Sequence, residues 1–292
     1  MTEEKIRLDH MEINVQYSLN EKPVILFIHF SGGNLQMWKG IISQFADQYS
    51  IIAPDMRGHG KSDKPLAGYH IDEMANDIYL LLKKLDIKSC HVVGSSMGAE
   101  IGLSLAASHP EIVLSLICEG ALCNEFGEYG LFHGSEDEIQ HKKEVMRAEL
   151  AKRQDRIFKT KEEYIEEKRA ELTQQGIWNE YFAAFFEHSL QQMPDGNFTY
   201  CYLNFVRTEY VQNYWDVKFE QYYKKVKCPV LFLPSEEEWK DEKVRRNLAV
   251  FTSLLEAYEV VRIEDSIHAY VWMQLPLAAG EAIRKFISKK DR

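Results

Sequence analysis

The 292-residue sequence has only five cysteines, an odd number, and no CxxC pair among them. That scarcity argues against a zinc ribbon or a disulfide framework. Cys90, Cys118 and Cys228 sit in or beside apolar runs, so the cysteines read as reduced packing residues. Long apolar runs are missing too: no stretch approaches the length that crosses a bilayer, and the start, MTEEKIRLD, lacks the apolar segment of a signal peptide. A cytoplasmic protein without a membrane partner is the expectation. Positive charge is short, with 35 Lys and Arg against 45 Asp and Glu and a net charge of −10, and no basic stripe offsets it. Nucleic acid is therefore not an expected partner.

Cofactor signatures fail on single residues. Gly60-Lys61-Ser62 imitates the end of a phosphate-binding loop, but that loop needs glycine at position 55, where Asp55 stands. Gly58 and Gly60 are followed by Asp63 instead of the third glycine of a dinucleotide fingerprint, and no His/Cys/Asp cluster has zinc spacing. Neither cofactor nor metal is expected.

What is present is a strand-and-helix alternation with an interruption. Runs such as PVILFIHF and YSIIAPD are rich in β-formers, and Ile71 to Leu85 carries apolar residues at helical spacing. CHVVG, VLSLICEGA, PVLFL and EVVRI are unbroken apolar runs of the kind found where both faces of a parallel strand are covered. Between Leu122 and about Lys227 no comparable strand occurs. Capping-box pairs Ser135/Glu138 and Thr160/Glu163 precede helical apolar spacing there, and an aromatic-rich stretch from Trp178 to Trp215 follows. A helical insertion over 122–227 is expected, with the core made of 1–121 and 228–292. Its aromatics form the insert's own core, and any that face a cleft would wall an apolar pocket. The sequence has no internal repeat and no Pro/Gly/Ser linker, so the two core segments should share one sheet.

Two adjacent serines lie in HVVGSSMGAE, His91 to Glu100. A serine hydroxyl attacks a carbonyl only when a base removes its proton and donors receive the developing charge, so the chain must present it at a sharp, exposed turn. Gly94, Ser96 and Gly98 satisfy G-x-S-x-G between a predicted strand and a predicted helix, with glycines where strand and helix close on each other. Ser95 has no such symmetric pair, so Ser96 is the candidate nucleophile.

Around these residues the sequence resembles the α/β-hydrolase family, in particular its branch with a helical cap. Asp55-Met56-Arg57-Gly58-His59-Gly60-Lys61-Ser62 is similar to that branch's D-x-R-G-x-G-x-S loop, and Ile28 to Gly33 to its oxyanion loop. The resemblance implies an α/β fold with a mostly parallel eight-stranded sheet flanked by helices and an inserted cap. It implies an oxyanion hole from the backbone N–H groups of Met97 and Ser31, although Phe30 stands where the family usually has glycine. The family's chain order makes His268 the base, without the glycine often found shortly before it. For the acid, alignment of PVLFLPSEEEW gives Glu238, with Glu119 the rival position used by some relatives. The activity implied is a serine hydrolase acting on a small carboxylic ester, lactone or thioester through an acyl-enzyme. Alternatives are a carbon–carbon bond hydrolase acting on vinylogous diketones, or a slow-turnover ligand sensor or partner-binding protein. Oligomeric state is not legible.

Overall fold

The structure is a computed structural model that describes residues 1–120 and 123–289. Eight strands form one sheet: β1 (Thr2–Arg7), β2 (Glu12–Ser18), β3 (Val24–Ile28), β4 (Ser50–Pro54), β5 (Cys90–Ser95), β6 (Val113–Glu119), β7 (Val230–Leu233) and β8 (Tyr258–Val260). They lie in the order β1-β2-β4-β3-β5-β6-β7-β8. β1 and β2 are antiparallel, β2 pairs antiparallel with β4, and every later pairing is parallel. Strands from before residue 120 and after residue 227 thus meet at the β6/β7 pairing within this single sheet.

The inner strands are apolar throughout because both faces are covered. In β3, Leu26 and Ile28 pack into one core layer with Val92 and Leu116, whereas Ile25 and Phe27 point into the other with Val93 and Ile117. The longer helices are α1 (Ile71–Lys84), α2 (Met97–Ser108), α3 (Glu136–Ala151), α4 (Lys161–Gln174), α5 (Glu180–Glu187), α6 (Asn204–Tyr214), α7 (Glu242–Thr252) and α8 (Pro276–Ile287). Among the described residues, no helix is long and apolar enough to cross a membrane. All five cysteines are free thiols.

Residues 123–227 contribute no strand to the large sheet. α3 and α4 begin where the capping pairs predict, with Ser135 and Thr160 accepting from the N–H groups of Glu138 and Glu163. Besides its helices the segment holds two small sheets, one of Leu190–Gln192, Phe198–Tyr200 and Ile157–Phe158, the other of Asn124–Phe126 and Gly130–Phe132. Strands of two or three residues are too short to show a period of two, so alternation could not reveal them. The expected boundary at residues 121 and 122 lies outside the described residues. The segment's aromatics divide their duties. Phe182, Phe185 and Phe186 extend the core layer that holds Trp38 and Trp272, while Trp215 packs with Phe126 and Leu150 in a separate small cluster.

Candidate active site

β5 delivers the chain to Ser96, which caps α2 with φ 50° and ψ −118°, a conformation strained for any residue with a side chain. The flanking glycines are required by contact. A Cβ on Gly94 would lie 2.4 Å from the Gly98 carbonyl oxygen, and one on Gly98 would lie 2.0 Å from the Ile28 carbonyl oxygen. β3, β5 and α2 therefore close on each other only without those two side chains.

Opposite this bend, Oγ of Ser96 and Nε2 of His268 are 3.1 Å apart, a hydrogen-bond distance across 172 residues of sequence. The other ring nitrogen, Nδ1, faces two carboxylates: Oε1 of Glu119 at 3.2 Å and Oε2 of Glu238 at 3.5 Å. Both are ion-pair distances, and neither is aligned as a hydrogen bond. Burial opposes charge on the ring, but the two carboxylates, Glu119 foremost, outweigh it and raise the His268 pKa.

The two acids are held differently. Glu119 ends β6 and is 1% exposed; its Oε1 accepts the Ala269 N–H at 2.9 Å and its Oε2 the Ser95 hydroxyl at 2.6 Å. The neighbouring serine is thus buried and committed to holding a carboxylate. Glu238, with a side chain 20% exposed, lies in the short helix Glu236–Lys240 after β7 and forms a capping box with Ser235, whose N–H and hydroxyl both donate to its Oε2 at 2.9 Å. The pattern Ser235-x-x-Glu238 could have exposed this capping role in the sequence. The loop before His268 lacks the family's glycine, and Asp265 supplies the left-handed turn instead, with φ 56°. Gly120 went unnoticed in the sequence, yet a Cβ there would lie 3.0 Å from Cε1 of His268 and 3.7 Å from Cα of Ser96.

Met97 opens α2 and Ser31 lies in the turn after β3, and among the described residues neither backbone N–H has an acceptor. Two buried histidines fix that turn. Nε2 of His29 accepts the Met56 N–H at 2.9 Å, which leaves its Nδ1–H to donate to the Phe30 carbonyl at 2.8 Å. Nε2 of His59 accepts the Gly32 N–H at 3.0 Å, and its Nδ1–H donates to the Arg57 carbonyl. Burial pushes both pKa values down, as neutral, fully used rings require. Phe30, where the resemblance expects glycine, directs its ring away to Phe185 and Tyr270, with centroids at 5.7 and 6.3 Å. The bulky residue becomes part of a wall.

Two tyrosine hydroxyls tie the 123–227 segment to this region, Tyr202 to Oγ of Ser31 at 2.6 Å and Tyr210 to Oε2 of Glu100 at 2.8 Å, while that of Tyr214 donates within the segment to the Cys123 carbonyl at 2.6 Å. Glu100 lies in the first turn of α2, fully desolvated. Burial raises its pKa to about 7, against the pull of the Tyr210 hydroxyl and the positive charge of His268. A carboxyl whose pKa rises on folding stabilises the fold below its unfolded value near 4.5, and that contribution is lost as pH climbs through about 7. Glu100→Gln keeps the neutral shape, so it is expected to be nearly neutral at about pH 5 and to stabilise the protein by about 3 kcal/mol at about pH 8. Urea melts across that range check the sign: a variant less stable than wild type at the alkaline end contradicts it.

A cavity of about 610 Å³ adjoins Phe30, Ser31 and Gly32 of the turn after β3, and Phe185, Tyr200, Tyr202 and Tyr270 wall it. Glu119, Glu238 and His268 are also the group among the described residues whose ligand atoms lie within 4.8 Å of one another, close enough to hold a metal ion. Any ion on Nδ1 would replace the ring proton between imidazole and carboxylates, while a protonated ring already balances one of the two charges.

Comparison with known proteins agrees with this geometry. A family model described as the alpha/beta hydrolase fold matches residues 23–270. An uncharacterized hydrolase of Bacillus subtilis, YraK, is 29% identical over 181 residues, 61% of this chain and 64% of that protein. The 3-oxoadipate enol-lactonase 2 of Acinetobacter baylyi is 40% identical over 91 residues, 31% of this chain and 34% of that protein. The chain thus spans less than two thirds of the length of either relative. In three dimensions it is similar to the crystal structure of E-2-(acetamidomethylene)succinate hydrolase, with a TM-score of 0.74 and 22% identity over 98% of this chain and 99% of that one. With the sheet order, the glycine-flanked bend at Ser96 and a family match across most of its length, the chain belongs to the alpha/beta hydrolase fold family.

Proposed function

We propose that this protein is a serine hydrolase that cleaves small carboxylic esters, lactones or thioesters through an acyl-enzyme on Ser96. The observation that carries this is the 3.1 Å approach of Ser96 Oγ to His268 Nε2 at a bend that forces the hydroxyl outward. His268 takes the serine proton as Oγ attacks the carbonyl carbon, then gives it to the leaving oxygen or sulfur as that bond breaks. Water, deprotonated by the same ring, releases the acyl group. The N–H groups of Met97 and Ser31 receive the developing oxyanion, and the N-terminus of α2 adds a favourable dipole. Glu119 takes the orienting role that the sequence comparison gave to Glu238, because it is nearer, more buried and fixed at both oxygens. The 123–227 segment serves as the cap, with Tyr202 over the oxyanion loop. A named enol-lactonase among the relatives supports hydrolytic chemistry.

A fluorophosphonate probe tests this together with parallel assays of esters, lactones and vinylogous diketones. Rapid labelling with ester or lactone turnover is expected. Turnover of diketones alone would indicate the carbon–carbon bond hydrolase, and labelling without turnover of any class would indicate a ligand sensor.

A further inference from the structure

We infer that the substrate carries an oxyanionic tail, a carboxylate or phosphate, bound by Arg153 and Arg207 on the wall of the cavity that adjoins Phe30, Ser31 and Gly32. This deepens the assignment of Ser96 as nucleophile and rests on it. Phe30, Ser31 and Gly32 line the cavity. Arg153, Asp155 and Asn204 line it too and also border a separate surface depression, which places them at its outer mouth. Arg207 and Val211 are four residues apart on α6, so both project from one helix face onto the cavity wall.

Three cationic side chains, Arg153, Lys168 and Arg207, line the cavity against one carboxylate, Asp155. Among the described residues, no carboxylate lies within ion-pair distance of either guanidinium. Asp155 accepts the N–H of Asn204 at the start of α6 at 2.7 Å and is not paired with either arginine. Lys168, the third cation on the cavity wall, is already paired with Glu171 at 2.7 Å. Burial and the charge of Arg153 both lower the Arg207 pKa, so the two arginines are near enough to repel each other. Such a pair gains most from an anion that bridges it, since guanidinium groups bind carboxylate and phosphate through parallel hydrogen bonds. The aromatic walls would hold an apolar body between that tail and the reacting carbonyl. The chemistry is therefore that of an ester, lactone or thioester with an anionic group several bonds from the scissile bond.

A matched series tests it: p-nitrophenyl monoesters of straight-chain dicarboxylic acids, the same compounds with the free carboxylate methylated, and a phosphate-tailed ester of equal length. Wild-type protein is expected to show kcat/KM at least tenfold higher for a charged member than for its methylated partner, expressed mainly in KM and weakened by salt. Arg207→Gln and Arg153→Gln should collapse that ratio, and Arg207→Lys should restore part of it. Comparison of the two charged members identifies the preferred tail. A ratio near one in wild type, or one that survives both glutamine variants, overturns the inference while ester turnover and probe labelling leave Ser96 as nucleophile intact. Should no ester be turned over, calorimetric titration of the dicarboxylate monomethyl esters decides. Binding lost in Arg207→Gln and partly regained in Arg207→Lys supports the subsite, and equal or absent binding in wild type and variants removes it.

Discussion

Ser96→Ala is expected to abolish fluorophosphonate labelling and to lower turnover of any ester the protein hydrolyses by about 10⁶-fold, the scale on which removal of a nucleophile acts in such sites. The loss is large because nothing nearby can stand in. Ser95 is the nearest hydroxyl in sequence, but it is buried and donates to Glu119, and β5 has already turned its side chain into the sheet. Residual rate would come only from N–H groups still able to polarise a bound carbonyl. Ser95→Ala serves as the comparison: it should keep labelling while loosening the carboxylate behind His268. Persistent labelling of the Ser96 variant, or loss of labelling in the Ser95 variant alone, would falsify the assignment of Ser96.

Exchange of Glu119 for glutamine carries the second large effect, a fall in kcat of about 10⁴-fold, as when the group orienting a catalytic imidazole can no longer stabilise its charge. Glu238→Gln should cost far less, within about tenfold, because its carboxylate is more distant from the ring, part-exposed and shared with the Ser235 cap. The pH profile separates the two roles further. Both carboxylates raise the His268 pKa, and the ring works as a base only when neutral, so activity should rise with pH through a raised pKa. Taking away Glu238 lowers that pKa and moves the acid limb of kcat/KM toward lower pH with the maximum largely kept. If instead Glu238→Gln gives the 10⁴-fold loss and Glu119→Gln a mild one, the two acids exchange roles.

Gly120 shows why such a site is only partly legible in a sequence. Its importance comes from a φ of 98° and from the closeness of His268, a residue 148 positions later, and no local pattern encodes that approach. Asp265 gives the opposite lesson. The expected glycine before the histidine is missing, yet the turn forms, because aspartate tolerates the left-handed region. Likewise Phe30 stands where the resemblance expects glycine, and it finds a place because Phe185 and Tyr270, far away in sequence, offer it a surface.

The amino-acid sequence alone determined the features that are local or periodic: buried parallel strands as continuous apolar runs, helix starts as capping pairs, and the bend at Ser96 as two glycines whose absent side chains let strand and helix touch. Tertiary structure alone decided which carboxylate lies nearer His268, what occupies Ser95, and that Arg153 and Arg207 of the 123–227 segment line one cavity. Those outcomes depend on distances between residues far apart in the chain. Such distances are set by how the sheet edge, the loops and the 123–227 segment pack together, and spacing along the backbone carries no record of them.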